Sequence, residues 1–118
     1  MLALRRRIHP RYPVHEIVTY HHNDTSVLTL ALDLGLGGMK IKTLHPLPKD
    51  ESLNFKLVLG AGAIWLKGSV VYSQLTPDSD VVSGIRFMKV SKADRISLEN
   101  YLANLEEYGH GLPLCAMS

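Results

Sequence analysis

SVLTLALDLGLGGMKIKT, Ser26–Thr43, decides the fold class. On its first half Leu28, Leu30, Leu32 and Leu34 alternate onto one face, leaving Val27, Thr29, Ala31 and Asp33 on the other. On its second half Met39, Ile41 and Thr43 alternate with Lys40 and Lys42. Both halves repeat every two residues, the period of a β-strand half-buried on one side. The glycines Gly35, Gly37 and Gly38 therefore join strand to strand. A dinucleotide fingerprint would open a helix inside a βαβ unit, and a P-loop would end in Lys-Ser/Thr ahead of a helix, so both readings fail here. What remains is a glycine turn where backbone comes close to something or adopts positive φ. Strand parity points Asp33 away from the leucine face.

The same period runs outward from this stretch. Upstream, Val14–Tyr20 is rich in β-branched and aromatic residues, and His22-Asn23-Asp24-Thr25 reads as the turn of a hairpin. Downstream, Leu53, Phe55, Leu57 and Leu59 alternate cleanly. A longer strand follows over residues 63–73, with Ile64, Leu66, Val70 and Tyr72 on one face, Trp65, Lys67, Ser69 and Val71 on the other, and Gly68 marking a bulge or bend. Thr76–Asp80 is a turn, and Val81–Val90 a last strand. Trp65 and the leucine runs are expected in the core. The predicted fold is all-β, a six- to seven-stranded antiparallel barrel.

After Val90 the period changes. Ser91 and Asp94 have the spacing of a capping box, and Leu98, Tyr101, Leu102 and Leu105 repeat at helical spacing. One C-terminal helix over residues 92–108 should pack on the barrel, leaving 109–118 as a patternless tail. At 118 residues and 46% apolar, the chain makes one domain with one modest core. Residues 1–13 read as a flexible arginine-rich arm and 14–90 as the barrel.

The net charge is only +2, yet Arg5, Arg6, Arg7 and Arg11 fall within ten residues. So local a concentration suits a small anion better than a nucleic acid polymer or a membrane surface. The single cysteine, Cys115, excludes an intramolecular disulfide. No apolar run approaches the roughly 18 residues of a membrane span, and the opening MLAL is too short for a signal sequence. A cytoplasmic protein is expected. His21 and His22 point to opposite faces of a strand, which argues against a metal site, and Asp78 and Asp80 belong to a turn. Cys115 has no histidine partner in view. No set of residues assembles an active site, so no enzyme is expected.

Taken together, Arg6-Arg7-x-x-x-Arg11 ahead of a strand, the D-x-(S/G)-x-x-G turn Asp33–Gly38, and Gly84-Ile85-Arg86-Phe87 in the last strand resemble the PilZ domain, the bacterial receptor for cyclic di-GMP. The likeness runs from Arg5 to Glu107. It implies that Arg7 and Arg11 carry the R-x-x-x-R role and that Asp33, Gly35, Gly37 and Gly38 form the ligand turn. In the family an arginine at the position of Arg6 accompanies two intercalated ligand molecules, which implies two per domain here. The chemistry agrees: a guanidinium grips a phosphate or the O6/N7 edge of guanine with paired N–H bonds and stacks on the base. Asp33 would accept from guanine N1–H and N2–H₂. Tyr72 stands where some relatives put an aromatic ring on a guanine, although packing in the barrel explains it equally well. Gly35 replaces the family's serine and removes a hydroxyl from the turn.

The expected function is thus a cyclic di-GMP receptor in second-messenger signalling that acts on an unidentified downstream protein in motility, biofilm, pilus or exopolysaccharide control. The alternative is a degenerate PilZ domain that serves as an interaction adaptor without nucleotide. A third reading, a barrel for single-stranded nucleic acid, lacks basic and aromatic residues interleaved along a strand.

Overall fold

A computed structural model describes residues 9–60 and 62–109; Arg5, Arg6 and Arg7 of the predicted arm and the tail from residue 110 lie outside these. Six antiparallel strands form a closed barrel in the order β1-β2-β3-β6-β5-β4. They are β1 (Arg11–His22), β2 (Thr25–Gly35), β3 (Gly38–Thr43), β4 (Ser52–Leu59), β5 (Gly62–Leu75) and β6 (Val81–Val90). Asn23 and Asp24, both at positive φ, make the two-residue hairpin turn between β1 and β2. Strand β1 begins at Arg11, so the last three residues of the predicted arm already pair with β2.

The interior is filled where period two predicts it in β3 and β4: Met39, Ile41, Leu53, Phe55 and Leu57 are buried, and the rings of Tyr20 and Phe55 meet at 6.1 Å. In β2 the leucine face proves to be the wrong one. Tyr20 pairs with Val27 and Val18 with Thr29, and cross-strand partners share a face. With Tyr20 and Val18 inside, Val27, Thr29 and Ala31 must turn inward, and Leu28 is left 71% exposed. The parity then switches at Leu32, an extra residue between the pairs Ala31–Ile41 and Asp33–Lys40, so that Leu34 is buried again. Asp33 does point outward, but a bulge puts it there.

A second bulge falls at Val71, between the pairs Val70–Ile85 and Tyr72–Gly84. It turns Tyr72 outward and Ser73 inward, where Ser73 Oγ lies 2.6 Å from Ser83 Oγ and Thr43 Oγ1 lies 3.0 Å from the same atom. A shift at Gly68 occurs as expected, and Gly68 is needed there because a Cβ would meet Ile85 Cγ2 at 2.5 Å. Trp65, expected in the core, lies outside beneath the Lys56 ammonium, since its neighbours Ile64 and Leu66 take the interior.

Helix α1 (Lys92–Asn104) continues into a π-helical turn, Leu105–Gly109. The Ser91 hydroxyl caps it by accepting from Asp94 N, while the Asp94 carboxylate accepts from Trp65 N instead of closing a reciprocal box. Leu98 and Leu102 are buried against the barrel. Tyr101 OH donates to Glu16 on β1, and burial, reinforced by that carboxylate, pushes the phenol well above its usual pKa. No helix among the described residues is long and apolar enough to cross a membrane.

Candidate functional site

The glycine turn between β2 and β3 is a platform for the chain's own incoming segment. A Cβ on Gly35 would stand 2.5 Å from the Pro10 carbonyl oxygen, one on Gly37 3.2 Å from the His9 ring, and one on Gly38 3.0 Å from Arg11 Nη2 and 2.3 Å from the Ile85 carbonyl. None of the three has positive φ. Of the two meanings open to these glycines, close approach is the one realised, and what approaches is His9, Pro10 and Arg11. Phe87 N donates to the Gly37 carbonyl at 2.9 Å and ties the platform to β6.

On this platform Arg11 Nη1 donates to Asp33 Oδ1 at 3.2 Å, with both side chains largely covered. The pairing is local in space: Arg11 pairs with Gly35 on β2, two residues from Asp33. The guanidinium thus lies across Gly38, held at one nitrogen and aimed by it. Two strands away, the ring of Tyr72 lies across Gly84, where a Cβ would come within 2.3 Å of it. Tyr72 is 37% exposed, which settles its alternatives against the barrel core.

Of the residues expected at the site, Arg11, Asp33, Gly35, Gly37, Gly38 and Tyr72 share one outer surface spanning β1, β2, β3, β6 and β5. Arg6 and Arg7 lie outside the described residues. The missing serine also finds a local explanation. With Pro10 placed as it is, position 35 has no room for a side chain.

Two residues that the sequence reading left unassigned join this surface. Lys40 pairs with Gly84 and Arg86 with Gly38 across the β3–β6 ladder. Both point outward, because Met39, Ile41 and Ile85 are fully buried. Only the cross-strand register, which a single sequence does not print, could have brought them in.

The root of the arm also borders a cavity of about 180 Å³ on its other side, where His9, Pro10, Tyr12 and Leu36 face Glu99, Leu102, Ala103 and Glu106 of the helical segment. Residues 9–12 therefore lie between the glycine platform and the helical segment. No group of three or more His, Cys, Asp or Glu side chains among the described residues is placed to hold a metal ion.

A family model described as PilZ domain matches residues 5–104. No curated protein matches the chain. Among solved structures, the Bacillus subtilis inhibitor of motility (MotI/DgrA) superposes with a TM-score of 0.78 at 16% identity, over 88% of this chain and 53% of that one. The K. pneumoniae MrkH–c-di-GMP complex gives 0.78 at 24% identity, over 88% and 54%. The PilZ domain of YcgR from Escherichia coli with c-di-GMP gives 0.70 at 18% identity, over 87% and 93%. The chain thus spans about half the length of the first two and nearly all of the third, and at these identities the likeness is one of fold.

Proposed function

This chain belongs to the PilZ domain family, and on that premise we propose that it is a receptor for cyclic di-GMP rather than an enzyme. One observation carries the proposal: the outward Arg11–Asp33 pair at 3.2 Å, held beside glycines that let the incoming segment pack closely against the barrel. Arg11 keeps donors beyond the one that Asp33 takes, because a guanidinium has five, and they suit a phosphodiester or the O6/N7 edge of guanine. Asp33 offers its second carboxylate oxygen to guanine N1–H and N2–H₂. Tyr72 supplies a stacking surface, and Arg6 and Arg7 complete the grip from the arm. In this reading the signal is the change that the bound ligand imposes on the arm.

In this reading the output runs through a separate protein that recognises the ordered arm or the helix beside its root. Motility, surface attachment, pilus function and exopolysaccharide production are the processes we propose, in a cytoplasmic setting.

A calorimetric titration with cyclic di-GMP, using GTP and cyclic AMP as controls, tests the proposal. Wild type should bind cyclic di-GMP alone. Arg11→Ala should lose roughly a hundredfold or more in affinity, since a charge-assisted paired bond goes with the side chain and Asp33 is left without its cation. Stability should change by no more than about 1 kcal/mol, as for other ion pairs near the surface. A wild type that binds none of the three nucleotides would sink the receptor reading and favour the adaptor, with Gly35 as the first residue to suspect.

A further inference from the structure

We infer that the outer face centred on the β1–β4 ladder docks an acidic amphipathic helix of a separate protein, with or without cyclic di-GMP bound. That ladder stands opposite the β3–β6 ladder in the ring of six strands, so the face is turned away from the glycine platform. It carries leucines that the period of β2 had promised to the core. Ile17 pairs with Leu30 on β2; Val58, one step beyond the Val18–Leu57 pair, continues the row on β4 and pairs with Ala63 on β5. All four point outward, since their neighbours Val18, Ala31, Leu57 and Ile64 are buried. An unbroken apolar row thus crosses four strands.

Two residues along the strands, the next row is Leu28, Thr19, Lys56 and Trp65, with Leu28 71% and Trp65 61% exposed. The row after it is polar and includes Asn54 paired with Lys67. The face therefore grades from apolar to cationic. Residues 17–21, 26–30, 54–58 and 63–67, which build it, contain Lys56 and Lys67 and no Asp or Glu, although the chain has 11 acidic residues. The carboxylate of Asp94 reaches the margin at Trp65, where it accepts from the backbone N–H.

Charge and spacing choose the occupant. A second copy laid on this face about a two-fold axis would set lysines against lysines. A bilayer would need the apolar row to project past its neighbours, whereas on a barrel wall the longer Lys56 and Lys67 reach further out than Ile17 and Leu30. A helix fits. Neighbouring strands lie about 4.8 Å apart and an α-helix advances about 5.4 Å per turn, so a helix laid across the strands sets roughly one turn on each. With its apolar stripe over Ile17, Leu30, Val58 and Ala63, its flank lies above Lys56 and Lys67, where Asp or Glu meets a cation. A partner held there stays beside the receptor in both ligand states and leaves the platform free.

The probe is a cross-linked synthetic helix of about four turns, with Leu in an i, i+3, i+4, i+7 stripe and Glu on its flanks, together with a twin carrying Lys in place of Glu. Fluorescence anisotropy follows their binding to wild type, Lys56→Glu/Lys67→Glu and Ile17→Ser/Leu28→Ser, each first shown by thermal melting to be folded. Wild type should prefer the Glu helix by about tenfold or more, and cyclic di-GMP should change that affinity by less than about threefold. Lys56→Glu/Lys67→Glu should reverse the preference, and Ile17→Ser/Leu28→Ser should weaken the Glu helix by about tenfold. Equal binding of the two helices, binding of neither, or a large effect of cyclic di-GMP overturns the inference. So does a wild-type dimer in sedimentation, or retention on phosphatidylserine vesicles, that Ile17→Ser/Leu28→Ser abolishes, since the face would then belong to a second copy or to a membrane. None of these outcomes touches the receptor reading, which the nucleotide titration tests separately.

Discussion

Two walls of this barrel are built on different rules. Strand β4 pairs with the first part of β5 without interruption, from Ser52 opposite Ser69 to Leu59 opposite Gly62. Every second residue of β4 goes into the core, and its pairing with β5 runs without a register shift. The wall formed by β2, β3, β6 and the far end of β5 carries extra residues at Leu32, Val71 and Met88. It also carries the glycines of the platform, together with Gly84. Inside the barrel, the regular wall does little besides bury side chains. On the irregular one, bulges turn Asp33 and Tyr72 outward, and missing side chains make room for groups that lie flat. A small barrel thus separates the part that stabilises it from the part proposed to hold a ligand.

The comparison is tested hardest on the regular wall. Phe55→Ala should destabilise the protein by about 3–5 kcal/mol, the usual result of emptying an aromatic site in a packed core. Ligand affinity of the fraction that remains folded should be unchanged. Thermal melts paired with titration below the melting range would check this, and a loss of affinity as large as the loss of stability would show that the walls are not separate.

Next in size is Gly35→Ser, which restores the serine of the family turn. Its Cβ meets the Pro10 carbonyl at 2.5 Å, and both partners are held by backbone. Overpacking of this kind costs about 1–3 kcal/mol. We expect a less stable protein that binds cyclic di-GMP no more tightly. Tighter binding at unchanged stability would mean that the segment before Arg11 yields readily.

The smallest effect on stability, and the sharpest on function, belongs to Gly84→Ala. Here the obstacle is the Tyr72 ring, a side chain free to swing toward solvent, so stability should fall by less than about 1 kcal/mol. Ligand affinity should drop by the worth of one stacking surface, about 1–3 kcal/mol. Gly38→Ala makes the internal control. Its Cβ meets the Ile85 backbone carbonyl at 2.3 Å, so it should damage stability and binding together.

The same contrast explains what could be read from the sequence. Strands β3 and β4 and the start of α1 were legible because their apolar residues sit on one parity only and because Ser91 is an unambiguous cap. In β2 both parities are apolar, and the choice between them was made by Tyr20 and Val18 on the neighbouring strand. A bulge adds one residue without a composition signal of its own, so the outward turn of Tyr72 could not be seen in a period-two pattern. Arg11, Tyr12 and Pro13 read as arm, yet β1 already runs through them, because Pro13 is exposed and its partner there is Asp33. The glycines announced close approach but not what approaches. Arg86 was visible as a member of a motif, and Lys40 as a residue between buried ones. Their meeting depends on register alone.

Closure of the ring has a further consequence. Each of the six strands has a neighbour on both sides. A partner that recognised a ligand-bound state would find a paired neighbour beside part of every strand, which narrows the sheet margin open to a strand of its own, the route by which many peptides are captured. Recognition would then rest mainly on side chains and on the helical surface, where specificity comes from shape and charge more than from shared backbone bonds.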